Sequence, residues 1–234
     1  MHGAPLFGAL AAEASGADLI FVCLPRCHAE VAKSTSLNFQ VHTFKGDTLT
    51  KVDVLPILEL LATMDAAVLG PGIAHGDHAG ISALCDILAE APCALVLDAA
   101  ALQRKTLSLV AGKTVVFTPH LAELERMGID PKDLAHQAKQ LDAVLFLKGP
   151  TDRIVGPDGS VTELTGGNAG LTVGGTGDAL AGLIAGLMAQ GLEPLNAAKT
   201  AGTIIKKAGE ELAKDYGFAY GTKRVIRQIP RLLR

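Results

Sequence analysis

The chain has 234 residues, 49% hydrophobic and 19% charged, with 26 glycines, no tryptophan and a formal net charge of -3 from 21 basic and 24 acidic side chains. That composition supports a sizeable core and excludes disorder. The slight acidic excess and the 4% aromatic content argue against a nucleic-acid partner, which calls for a basic surface and stacking platforms.

In chain order, the first apolar segments read as a helix at 4–15, then strands at 17–24 and 39–44. A helix at 52–62, a strand at 66–70 and a helix at 77–90 follow. Strands at 93–99 and 114–119 precede helices at 120–127 and 132–141 and a strand at 143–149. The strand segments are continuous apolar runs, the pattern of strands covered on both faces. Strand–helix alternation implies a mostly parallel sheet in a layered α/β/α sandwich. The segment "DRIVGPDGSVTEL" places two short strand-like pieces around "GPDG", so a hairpin is expected. Beyond it, helices are expected at 176–190, 194–215 and 220–233. No linker or repeat divides the chain, and one domain over residues 1–234 is expected.

Cys23, Cys27, Cys85 and Cys93 form no CxxC pair and read as buried reduced thiols. The longest apolar run, 179–189, is too short to span a bilayer, and no signal-peptide pattern is present, so a cytoplasmic protein without a membrane partner is expected. His75 and His78 have helical spacing but no third ligand, so no protein-bound metal site is expected.

Chemistry concentrates in "VGGTGD", 173–178. Its glycines let the backbone turn sharply and approach a ligand, and the helix that follows turns free N–H groups toward the same point. A helix start of this kind suits a phosphate. Asp178 lies in the first helical turn, where the helix dipole is expected to favour its charged form. Gly182 and Gly186, four residues apart, suggest close helix packing. Most strands end in polar or glycine-rich turns, "GPGIAHGDH", "DAAAL", "TPHLAE" and "KGPTD". Ligands of open parallel sheets bind at that end, so these turns are expected to share one rim.

The string "GNAGLTVGGTGDALAG" resembles the signature of the ribokinase-like superfamily and, within it, the ADP/ATP-dependent NAD(P)H-hydrate dehydratases. "HGAP", "GPG", "DAAAL", "TPHLAELERM" and "LKGPTDRIVGPDG" follow in the family's order, and the resemblance spans the whole chain. Ala100 and Ala169 depart from the usual aspartate and proline, and the family's first N-terminal strand has no counterpart ahead of "HGAP". The resemblance implies repair of hydrated NADH or NADPH at the expense of ADP or ATP, with Mg2+ accompanying the nucleotide. It assigns the catalytic base to Asp178. It places Ala4, Gly72, His120 and Asp178 at the substrate, and Lys148, Gly149, Pro150, Thr151, Asp152 and Gly177 at the nucleotide. Asn168, Gly175, Thr176 and Glu123 are secondary candidates, Asn168 fixing its loop and Glu123 orienting the turn that carries His120. It also implies a homo-oligomer and an epimerase acting on the same substrate. Two other readings stay open: a ribokinase-like kinase of a vitamin precursor or sugar, and a non-catalytic nucleotide-binding protein.

Overall fold

The computed structural model describes residues 3–234. Helix α1 (Gly3–Ala14) leads to strand β1 (Ile20–Leu24), helix α2 (Ala29–Thr35) and strand β2 (Phe39–Thr43). Strands β1 and β2 pair in parallel as a two-stranded sheet of their own. Helix α3 (Val54–Leu61) then opens the larger unit, whose six strands are ordered β3 to β8 as in the sequence. Strands β3 (Ala66–Leu69), β4 (Ala94–Leu97), β5 (Val115–Phe117) and β6 (Val144–Leu147) are parallel. The antiparallel hairpin β7 (Asp152–Val155) and β8 (Val161–Leu164) closes that sheet, as "GPDG" led us to expect.

Side-chain alternation with period two sorts the strand residues onto two faces. Val96, Val116, Val144, Phe146 and Ile154 pack beneath the C-terminal helices α7 (Thr176–Ala189), α8 (Pro194–Tyr216) and α9 (Thr222–Leu232). Leu95, Leu97, Val115, Phe117, Leu145 and Leu147 pack on the other face, with α3, α4 (His78–Glu90), α5 (Leu121–Met127) and α6 (Leu134–Leu141). A smaller cluster of Leu6, Ala9, Ile20, Val22, Leu24, Ala32 and Phe39 holds α1 and α2 on the β1–β2 sheet.

Helix α7 is apolar almost all round because it lies between the sheet and α1. The interface with α1 requires glycine: a Cβ on Gly182 would strike the Gly8 backbone, and one on Gly186 would strike Ser15. Backbones approach closely there, as the spacing of these two glycines suggested.

The structure corrects two expectations. Helix α2 lies in a stretch that carried no helical expectation, since seven residues give too short a window for helical periodicity. The four thiols are free, as read, but they are not uniformly buried: Cys27 is exposed and the other three are half-buried.

Candidate active site

Loops after β4, β5 and β6 converge with the start of α7. The first contributes Asp98, which is 3% exposed. The Thr118 hydroxyl, from the end of β5, donates to Asp98 Oδ1 at 3.0 Å. Two residues on, His120 starts α5. Its backbone N–H donates to Glu123 Oε2 at 2.9 Å, while the Glu123 N–H donates to His120 Nδ1 at 3.2 Å. This reciprocal cap satisfies two donors of the helix start and fixes the His120 ring. Glu123 thus orients the turn in the way the sequence suggested.

Lys148 directly follows β6, and its backbone N–H donates to Pro119 O at 2.8 Å, tying the two loops together. Its ammonium does not reach for solvent. Nζ lies 2.8 Å from Asp98 Oδ1 and 3.5 Å from Glu123 Oε2. Burial alone would lower the Lys148 pKa, but the two carboxylates outweigh it and raise the pKa.

The following loop is shaped by Asp152, whose Oδ1 accepts the Gly149 N–H at 2.8 Å. Its Oδ2 lies 3.2 Å from Lys206 Nζ, and that ammonium also donates to Pro150 O at 3.0 Å. Burial pushes the Asp152 carboxyl up, and the Gly149 N–H and Lys206 only partly oppose it. The Asp152 side chain is therefore engaged from within the protein, while Gly149, Pro150 and Thr151 form the outer turn of this loop.

The glycine-rich segment meets this cluster at α7. Gly175 precedes the helix with φ 97°, a left-handed conformation that glycine adopts freely, and a Cβ there would fall on the Phe7 ring. Gly177 has no positive φ, so the freedom expected of the segment at this point is used at Gly175. A Cβ on Gly177 would lie 3.4 Å from Lys148 Nζ, which sets the first turn of α7 beside the ammonium. The amides of Gly177 and Asp178 find no backbone acceptor among the described residues. Thr176 is turned inward, with its hydroxyl donating to Val173 O at 3.0 Å. Asn168 fixes the approach to the helix. Its Oδ1 accepts from the Gly170 N–H at 2.9 Å and the Tyr220 hydroxyl at 2.6 Å, and its Nδ2 donates to Gly209 O at 2.7 Å.

Asp178 departs from expectation in its protonation. Its pKa is raised to about 6, first by desolvation and then by the negative charge of Asp98, against the opposing pull of Lys148. The dipole of α7 does not dominate. Burial and a neighbouring carboxylate prevail, leaving a base stronger than an ordinary aspartate.

The structure thus brings His120, Glu123, Lys148, Gly177 and Asp178 to one rim. Ala4 and Gly72 border a neighbouring apolar cleft between β1 and β3. Asp98, Lys206 and Tyr220 were not singled out as site residues. Asp98 could have been found as the head of "DAAAL" at a strand end, whereas Lys206 sits in mid-helix with no local signal.

A model of the NAD(P)H-hydrate dehydratase family matches residues 1–231. The chain belongs to this family. An ADP-dependent (S)-NAD(P)H-hydrate dehydratase of Cenarchaeum symbiosum is 31% identical, over 100% of this chain and 84% of the relative. Among solved structures, the family fold is matched by a ribokinase-like superfamily protein of Enterococcus faecalis with TM-score 0.83, 24% identity and coverage of 99% of this chain and 82% of the other. An ADP/ATP-dependent NAD(P)H-hydrate dehydratase of Bacillus subtilis, co-crystallised with ATP and Mg2+, matches with TM-score 0.80 and 25% identity over 99% of this chain and 84% of that one. The ribokinase-like layered sandwich expected from the sequence is the fold of the chain.

Proposed function

We propose that this family member removes water from hydrated NADH or NADPH, with ADP or ATP as phosphoryl donor. The observation that carries this reading is Asp178, a carboxylate with pKa raised to about 6, on a helix start with partnerless amides beside Lys148. A general base works best when its pKa lies near the operating pH.

In this reading Asp178 takes the proton of the substrate hydroxyl as that oxygen attacks the terminal phosphorus of the nucleotide. The bond from phosphorus to the nucleotide's bridging oxygen breaks. The phosphate then leaves with the carbon–oxygen electron pair, pushed out by the ring nitrogen's lone pair, and loss of a proton from the adjacent ring carbon restores the ring double bond. The amides of Gly177 and Asp178 meet the phosphoryl oxygens. Such transfer relies mostly on positioning and charge stabilisation. His120 lies against the nicotinamide end, and the 148–152 loop lies against the nucleotide. Ala4 and Gly72 line the substrate side.

Around Lys148 stand three carboxylates, those of Asp98, Glu123 and Asp178. That excess of negative charge fits an Mg2+ ion arriving with the nucleotide. Magnesium keeps phosphate and water ligands and needs no dedicated protein cage. Asp98 and Glu123 are the carboxylates that would hold it.

The test is turnover of hydrated NADH, followed by recovery of reduced-nicotinamide absorbance, with ADP, with ATP and without nucleotide. Turnover with at least one nucleotide and none without is expected. No turnover with either nucleotide, together with phosphorylation of a thiazole or sugar alcohol, would overturn the reading.

A further inference from the structure

Lys206 lies in the middle of α8 and is 7% exposed. A buried ammonium is costly unless each of its donors finds an acceptor. Lys206 Nζ has three: Asp152 Oδ2 at 3.2 Å, Pro150 O at 3.0 Å and Gly166 O at 3.4 Å. An ammonium has no more N–H groups than that, so this cation keeps none for a ligand. The acceptors belong to two loops. Asp152 and Pro150 come from the turn after β6, and Gly166 from the segment that runs from β8 toward α7. The same face of α8 holds that second segment at two further points, because residues 206, 209 and 210 share one side of a helix by their spacing. Gly209 O accepts from Asn168 Nδ2 at 2.7 Å, and Glu210 Oε1 accepts the Gly167 N–H at 3.0 Å. Asp152 in turn holds the Gly149 N–H, so the pull of Lys206 reaches the outer turn of the first loop.

Resting on the functional reading above, in which the 149–152 loop and the start of α7 both meet the nucleotide, we infer that Lys206 is a positioning residue for the nucleotide: its ammonium clasps that loop to the glycine-rich segment and sets how far apart the two stand. An apolar side chain at 206 would fill the same space and hold neither carbonyl. Without the clasp the loops can part, and binding must then order them again, which weakens affinity. Asp178 is not among the partners of Lys206, so the chemical step on bound nucleotide is left nearly intact. The effect therefore belongs to nucleotide Kd and KM rather than to kcat.

The test is calorimetric titration of ADP and of ATP into wild type, Lys206→Met, Asp152→Asn and the double variant, with steady-state kinetics beside it. Lys206→Met is expected to raise Kd and KM for the nucleotide about tenfold or more and to leave kcat within about threefold. Lys206→Met leaves a buried carboxylate without its counter-ion. The double variant buries neither charge and keeps an acceptor for the Gly149 N–H, so it is measurable where the single variant fails to fold. It should show the same loss as Lys206→Met, because partners acting as one unit give losses that do not add. Gly182→Ala, strained against the Gly8 backbone, is the destabilised control and should keep wild-type affinity. A folded double variant with wild-type affinity, losses that add, or an equal loss in Gly182→Ala would overturn the proposal. Wild type that binds neither nucleotide would overturn the functional reading and this proposal with it, whereas wild type that binds while its variants match it overturns this proposal alone.

Discussion

Lys148 Nζ lies 2.8 Å from Asp98 Oδ1 across fifty residues of sequence, with Glu123 Oε2 3.5 Å away. One ammonium thus ties together the loops that follow β4, β5 and β6. Removing it leaves two buried carboxylates without their counter-ion.

Lys148→Met is therefore expected to destabilise the fold by about 3 kcal/mol, the scale for breaking a buried pair from one side. Urea unfolding measures it. Lys148 also lowers the Asp178 pKa, so its loss should raise that pKa further above about 6. In the pH profile of kcat, the acid limb should move to higher pH. An unmoved limb with intact folding would show that Lys148 does not reach Asp178 electrostatically.

Asp178→Asn should lower kcat by ~10²-fold or more if the carboxylate is the base. Its stability should respond in the opposite sense. The folded pKa of about 6 lies above the ordinary 3.8, so the native state holds an extra proton between those values. The stability contributed by this group is thus full below pH 3.8 and is lost as pH rises toward 6. The variant escapes that loss and should be more stable than wild type at pH 7. After discounting for partial solvent screening, the gain is about 1 kcal/mol. Denaturant melts at pH 5 and pH 7 check the sign.

His120→Ala should weaken substrate binding while leaving ATP affinity within tenfold, a change below about 1.4 kcal/mol. It also removes the cap acceptor for the Glu123 N–H, costing about 1 kcal/mol of stability. His120→Asn keeps a capping oxygen and should recover the stability but not the substrate affinity. Calorimetric titration with ATP and thermal unfolding of the two variants separate these effects.

Two glycines of α7 should fail differently. Gly182→Ala forces a methyl into the Gly8 backbone and should cost about 2 kcal/mol of stability, with ATP binding retained. Gly177→Val places a branched side chain against Lys148 Nζ, at the partnerless amides, and should suppress the ATP-induced thermal shift. A wild-type shift would correspond to about 2.7 kcal/mol at a hundredfold excess of nucleotide over Kd. A folded Gly177→Val protein with an undiminished shift would assign these glycines to helix packing alone.

The sequence by itself determined the order of the strands and of every α-helix but α2, the β7–β8 hairpin and the turns that carry the candidate site. These follow from local periodicity and turn chemistry, which act over a few residues. It also carried the Gly–Asp helix start, the His120–Glu123 pair and the close α1–α7 contact, since each is a short-range motif. Helix α2 was illegible because seven residues show no complete period. The tertiary structure alone decided that Lys148 joins Asp98, that Lys206 from α8 grips the 149–152 loop, and that Asp178 is the more basic for its burial. It also decided that β1 and β3 stand apart around an apolar cleft. Ion pairing, desolvation and strand adjacency depend on distances between segments remote in sequence, and those distances exist only once the chain has folded.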